Sequence, residues 1–174
     1  MKTIIKTILI FILLVGCKPT KVELQDKEFY SLLNAQYKNI STTEIPIFYK
    51  TINKELADIK EQIRFQKLNF NVTLSGERIF FENLMTQKDL DYLKEQIEDL
   101  GNRKIDPQHL SFPVNLVRKK NVPYSYHFSE PFFTQNMDFA FIFRRKVSGG
   151  DSFIVFQKKG GQWNFLCEVV LSMV

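Results

Sequence analysis

The sequence predicts an α+β fold, with N-terminal helices and a hairpin packed on a C-terminal antiparallel β-meander. Apolar residues recur at helical spacing from Leu24 to Leu100. Aromatic residues then crowd the last third of the chain at alternating positions, and glycine pairs divide that third at the spacing of short turns. Beyond a leader of 16 residues, the remaining length suits one domain with a single sizeable core.

The leader comes first. Lys2 and Lys6 precede an unbroken apolar run from Ile8 to Val15, and Gly16 is the small residue that a signal peptidase needs. The tetrapeptide Leu14-Val15-Gly16-Cys17 resembles the bacterial lipobox, which implies cleavage just before Cys17 and lipidation of that residue. A membrane-spanning helix needs roughly 20 apolar residues, more than the run from Thr7 to Gly16 contains, and an ordinary cleaved signal requires no cysteine. The expected division is a signal peptide over 1–16, a lipid-anchored tether over 17–23 and a single α+β domain over 24–174. Each buried methylene contributes roughly 0.8 kcal/mol, and one acyl chain alone holds marginally. The three chains that the lipobox implies would anchor the protein firmly.

The first helical pattern, through Phe29, Leu32, Leu33 and Tyr37, has Asp26 as a candidate N-cap and ends at Ser41-Thr42-Thr43. Ile45 to Lys50 is either a short strand or the first turns of the next helix. Ile52, Leu56, Ile59 and Ile63 make an apolar stripe that predicts a helix over 51–65. Phe70, Val72 and Leu74 alternate with Asn69, Asn71 and Thr73 before the turn Ser75-Gly76-Glu77. With Ile79-Phe80-Phe81 after the turn, they predict a hairpin. Thr86 and Asp89 have capping-box spacing, Leu90, Leu93, Ile97 and Leu100 form the stripe, and Gly101 sits where a left-handed C-cap is wanted.

Three runs, Phe139–Val147, Ser152–Lys159 and Gln162–Ser172, then form the meander, with Gly160-Gly161 suited to a primed two-residue turn. Strict alternation in the last strand would place Trp163, Phe165, Cys167 and Val169 on one face. The series Ser129-Glu130-Pro131-Phe132-Phe133, Phe139-Ala140-Phe141, Gly149-Gly150 and Lys159-Gly160-Gly161-Gln162-Trp163 resembles a pattern in small lipoproteins of Bacteroidetes, over roughly residues 86 to 170. The resemblance implies a lipid-anchored envelope protein and brings no activity or site residues with it. It also implies that surface-exported members carry acidic residues just after the cysteine. Here Lys18 and Lys21 flank Pro19, so the expected location is the periplasm-facing leaflet of the outer membrane.

Composition narrows the chemistry. The 24 basic residues fall to 22 once Lys2 and Lys6 leave with the leader, against 19 acidic ones. The remaining balance of about +3 is weak for nucleic acid, and none is expected as a partner. With only Cys17 and Cys167 in the chain, a lipidated Cys17 leaves Cys167 without an intramolecular partner, and a cysteine-cluster metal site is excluded. No cofactor is expected. His127 near Glu130 is a candidate general base, or a half-exposed strand residue. His109 lies in a loop. Cys167 is a candidate nucleophile with His127 as base, or a small core residue. Two basic clusters, Arg118-Lys119-Lys120 and Arg144-Arg145-Lys146, are candidate partner contacts, or solvated charges that discourage edge pairing. The leading expectation is a non-enzymatic binding or interaction module that meets a protein or a small apolar ligand. Its rivals are an immunity-type or assembly-accessory lipoprotein and a hydrolase with an unrecognised site.

Overall fold

The computed structural model describes residues 21–40 and 42–172, so the signal peptide, the lipobox and Cys17 lie outside the described residues. The fold is α+β, with a C-terminal meander in which β6 (Phe139–Lys146), β7 (Gly150–Lys159) and β8 (Gln162–Ser172) pair antiparallel. Gly160 and Gly161 take φ of +57° and +79°, the double positive-φ turn that joins twisted strands without splaying them.

The meander extends into an eight-stranded mixed sheet. β1 (Ile45–Phe48) inserts parallel between β3 (Val114–Val117) and β4 (Tyr126–Phe128), and β4 pairs antiparallel with β6. Along the same edge of β6 runs β5 (Phe132–Phe133), while β2 (Asn71–Val72) pairs with β8 at the far side. Ile45–Phe48 is thus a strand, the first of the two readings left open above.

Both faces of the sheet are covered. Helix α1 (Lys21–Tyr37) packs Phe29, Leu32, Leu33 and Tyr37 against Ala140, Ile142, Ile154, Phe156 and Trp163. On the opposite face, α2 (Lys54–Ile59) and α4 (Gln87–Asp99) set Leu56, Leu90, Leu93 and Ile97 against Phe141, Phe143, Phe153 and Val155. The short helix α3 (Phe65–Leu68) adds Leu68 to that second core. This double cover explains why the meander strands read as apolar on both sides.

Five details differ from the sequence reading. Alternation in β8 breaks at Leu166, because Val155 pairs with Cys167 but Phe156 with Phe165. The extra residue reverses the pleat. Trp163 and Phe165 therefore face α1, while Cys167 and Val169 face α2 and α4. The helix expected over 51–65 is broken into α2, a 3-10 turn at Lys60–Gln62 and α3, with Arg64 extended between them. Ahead of α2 the Thr51 and Ile52 amides donate to the Arg103 and Phe128 carbonyls, which ties that stretch to the loop after α4 and to the end of β4. Asp26 lies inside α1 instead of capping it. The capping box of α4 forms as read, but Leu100 leaves the helix extended and Gly101 has no left-handed φ. The Gly101 carbonyl accepts from the Asn53 side chain instead. The fifth difference, the pairing of the 70–81 segment, shapes the surface described next.

Candidate functional site

The first arm of the segment, Asn71–Val72, pairs with Val169 and Glu168 of β8, and the chain turns back at Gly76, φ +78°. Side chains, not a backbone ladder, hold the returning arm. Asn71 accepts from the Ile79 amide at 3.0 Å and donates to the Ile79 carbonyl at 2.6 Å and the Leu68 carbonyl at 2.9 Å. Asn69 accepts from the Phe81 amide at 2.9 Å and donates to Glu82 at 2.8 Å, and Thr73 donates to the Glu77 carbonyl at 2.8 Å. A carboxamide suits this task because it offers donors and an acceptor together, as a peptide group does. With Asn69, Asn71 and Thr73 turned inward, alternation throws Phe70, Val72 and Leu74 outward, at 64%, 57% and 89% exposure. Phe80 and Leu84 on the returning arm are exposed too. An apolar ridge results, fixed from below by polar clips.

A second feature gathers around Arg103. Its guanidinium reaches Asp26 of α1 at 2.6 Å and Glu130 at 2.8 Å, and lies 5.3 Å from the centre of the Phe29 ring. Glu130 is placed there by a bulge: Ser129-Glu130-Pro131 stands opposite Ile142-Phe143, between the pairs Phe128–Arg144 and Phe132–Phe141. The Ser129 hydroxyl replaces the lost ladder acceptor, taking the Phe143 amide at 2.9 Å. Asn53 accepts the Glu130 amide at 2.9 Å. Burial pushes the Glu130 carboxyl up to about 7, with Arg103 and Thr51 pulling it partly back. Desolvation outweighs the ion pair. Clefts of about 800 and 390 Å³ open on either side of Asp26 and Arg103. Tyr30 and His109 line the larger, their rings 4.9 Å apart. The polar groups named at this node tie together α1, the 101–106 loop, the stretch ahead of α2 and the bulge between β4 and β5. Chemically it is a fastening, with a carboxyl that can hold a proton near neutrality.

The remaining candidates fall into place separately. Cys167 is fully buried, and burial pushes its thiol up to about 12, as suits a core side chain. His127 is buried, not half-exposed, and stacks on Phe48 at 4.7 Å and 13° because β1 and β4 are neighbours. Its Nε2 lies 3.5 Å from the Ser125 hydroxyl. Arg144 turns toward α1's face to pair with Glu168, whereas Arg145 grips Asp151 with two bonds of 2.9 Å. Arg118, Lys119 and Lys120 are exposed after β3, and Lys120 shares one cleft with Arg145 and Lys146. Among the described residues no cluster of His, Cys, Asp or Glu could hold a metal, and no helix is long and apolar enough to cross a membrane.

Sequence reasoning missed the ridge and the Arg103 node. The signal for the ridge was present, since two asparagines and a threonine alternating ahead of a Ser-Gly turn can serve as backbone clips. No protein-family profile, curated protein or solved structure matches the chain.

Proposed function

We propose that this is a lipid-anchored cell-envelope protein, held at Cys17 and facing the periplasm, whose domain is a non-enzymatic interaction module. The lipobox-like Leu14-Val15-Gly16-Cys17 and the basic residues after it support the address. One observation carries the interaction reading. Phe70, Val72, Leu74, Phe80 and Leu84 stand exposed on a segment whose backbone is clipped in place, so their exposure is built into the fold. The occupant is a protein with an apolar face. Exposed Glu77, Arg78 and Glu82 rim the ridge with both signs of charge, the anatomy of a protein interface. A surface that enters a bilayer carries Lys and Arg on its polar side instead.

The address is tested by fatty-acid labelling. Wild-type protein should incorporate label and Cys17→Ser none; equal labelling would refute the anchor. The ridge is tested with a photoreactive residue at position 74 of the full chain in cells, with position 124 as an exposed control. Position 74 should give one protein adduct of discrete mass, and the purified partner should bind Leu74→Asp at least tenfold more weakly than wild type. Adducts with lipid alone, or equal binding by the variant, would refute the docking face.

A further inference from the structure

We infer that the free edge of β3 takes up an extended segment of a partner protein as a further strand, one that alternates apolar and polar residues and carries acidic residues at one end. β3 is the last strand on its side of the sheet and pairs only with β1, while the ridge lies by β8 at the other side. This edge is therefore a separate surface and does not rest on the ridge. The register with β1 decides which of its groups are free. The Ile45 amide donates to the Pro113 carbonyl and the Tyr49 amide to the Val117 carbonyl, both at 3.0 Å, so the odd-numbered residues turn their backbone groups to β1. The amides and carbonyls of Val114 and Leu116 point the other way, and among the described residues they meet no hydrogen-bond partner.

Nothing within the strand blunts this edge. Val114-Asn115-Leu116-Val117 carries no charge, no proline and no bulge, the devices that protect an edge from added strands. Pro113, just ahead, faces β1 by the same parity, so its missing N–H costs the outer edge nothing. The side chains set the pattern of the incoming strand. Val114 and Leu116 pack on the α1-side core yet stay half-buried at the margin of the sheet, so a residue laid beside them on that face gains by being apolar. On the opposite face Asn115 is exposed, which suits a polar neighbour. Charge fixes the flank. Arg118 and Lys119 follow the strand directly, are exposed, and make no ion pair among the described residues, so they favour carboxylates beside them and repel a basic segment.

Hydrogen exchange of the full chain in nonionic detergent tests this at single amides, with the peptide Asp-Glu-Val-Thr-Val-Thr-Val as probe and Lys-Lys-Val-Thr-Val-Thr-Val as its control. A strand added here covers the Val114 and Leu116 amides and no other amide of β3. The acidic peptide should bind saturably and slow exchange at both by at least tenfold, while Asn115 and Val117, already turned to β1, change little. The basic peptide should bind at least fivefold more weakly, and Arg118→Glu with Lys119→Glu should reverse that order. Should the double variant lose its cooperative melt, Lys119→Glu alone carries the charge test, since Lys119 is exposed in a loop. Micelles containing phosphatidylglycerol, added in place of peptide, should leave both amides unprotected. The assignment would be overturned by failure of the acidic peptide to bind, by its binding without protection of Val114 and Leu116, or by equal binding of the two peptides. Protection by the micelles alone, or protection without peptide that grows with the concentration of the chain, would make a lipid surface or a second copy the occupant and overturn it equally.

Discussion

At Glu130, a buried carboxyl shares an ion pair with Arg103 and is nevertheless pushed up to about 7, from an ordinary 4.5. The folded state holds this proton more tightly than the unfolded chain. Its contribution to stability is therefore fully present below pH 4.5 and is lost as pH rises toward about 7. The limiting slope for one group is about 1.4 kcal/mol per pH unit. Denaturation across that window should show wild-type stability falling more steeply than that of Glu130→Gln. Parallel curves would mean that the carboxyl is ionised throughout. Neither Glu130 nor Arg103 was legible as a pair, since 27 positions separate them in the chain. Only the bulge after β4 and the loop after α4 bring them together.

At the scale of elements, Leu166 decides which core each side chain of β8 enters. It is the extra residue: were β8 to alternate strictly through it, Cys167 and Val169 would move to the α1 face and Glu168 into the opposite core. A buried unpaired charge there is strongly destabilising. Deleting Leu166 removes the extra residue and leaves every side chain of β8 on its present face, so the deletion variant should keep a cooperative thermal transition, as should Leu166→Ala. Loss of that transition in the deletion variant alone would contradict this assignment of faces. Period-two reading found the three meander strands and the Gly160-Gly161 turn because these signals are local. It could not find a bulge, which depends on how two strands pair. The helix over 51–65 failed for a related reason. Thr51 and Asn53 have nothing against helix in their immediate sequence, but their polar groups bind Arg103, Gly101 and Glu130 from distant parts of the chain.

For the whole molecule, α1 shields one face of the sheet and α2 with α4 the other. The large apolar side chains left at the surface are therefore informative, and five of them belong to residues 70–84. Apolar-out alternation runs against the usual pattern of a strand packed on a core. It persists because Asn69 and Asn71 satisfy the backbone of the returning arm in place of a paired strand. The basic cleft lies at the β6–β7 end of the sheet, whereas the ridge follows the β8 edge.

The most direct measurement is native-state hydrogen exchange at the Ile79 and Phe81 amides, which donate to the Asn71 and Asn69 side chains. In the wild-type protein both should be protected by at least tenfold over an unstructured chain. Asn71→Ala should release Ile79 while the meander amides stay protected, because only the clip is lost. Exchange of Ile79 and Phe81 at the unstructured rate in the wild-type protein would show the segment to be a loose loop, and the ridge would not be a preformed docking face.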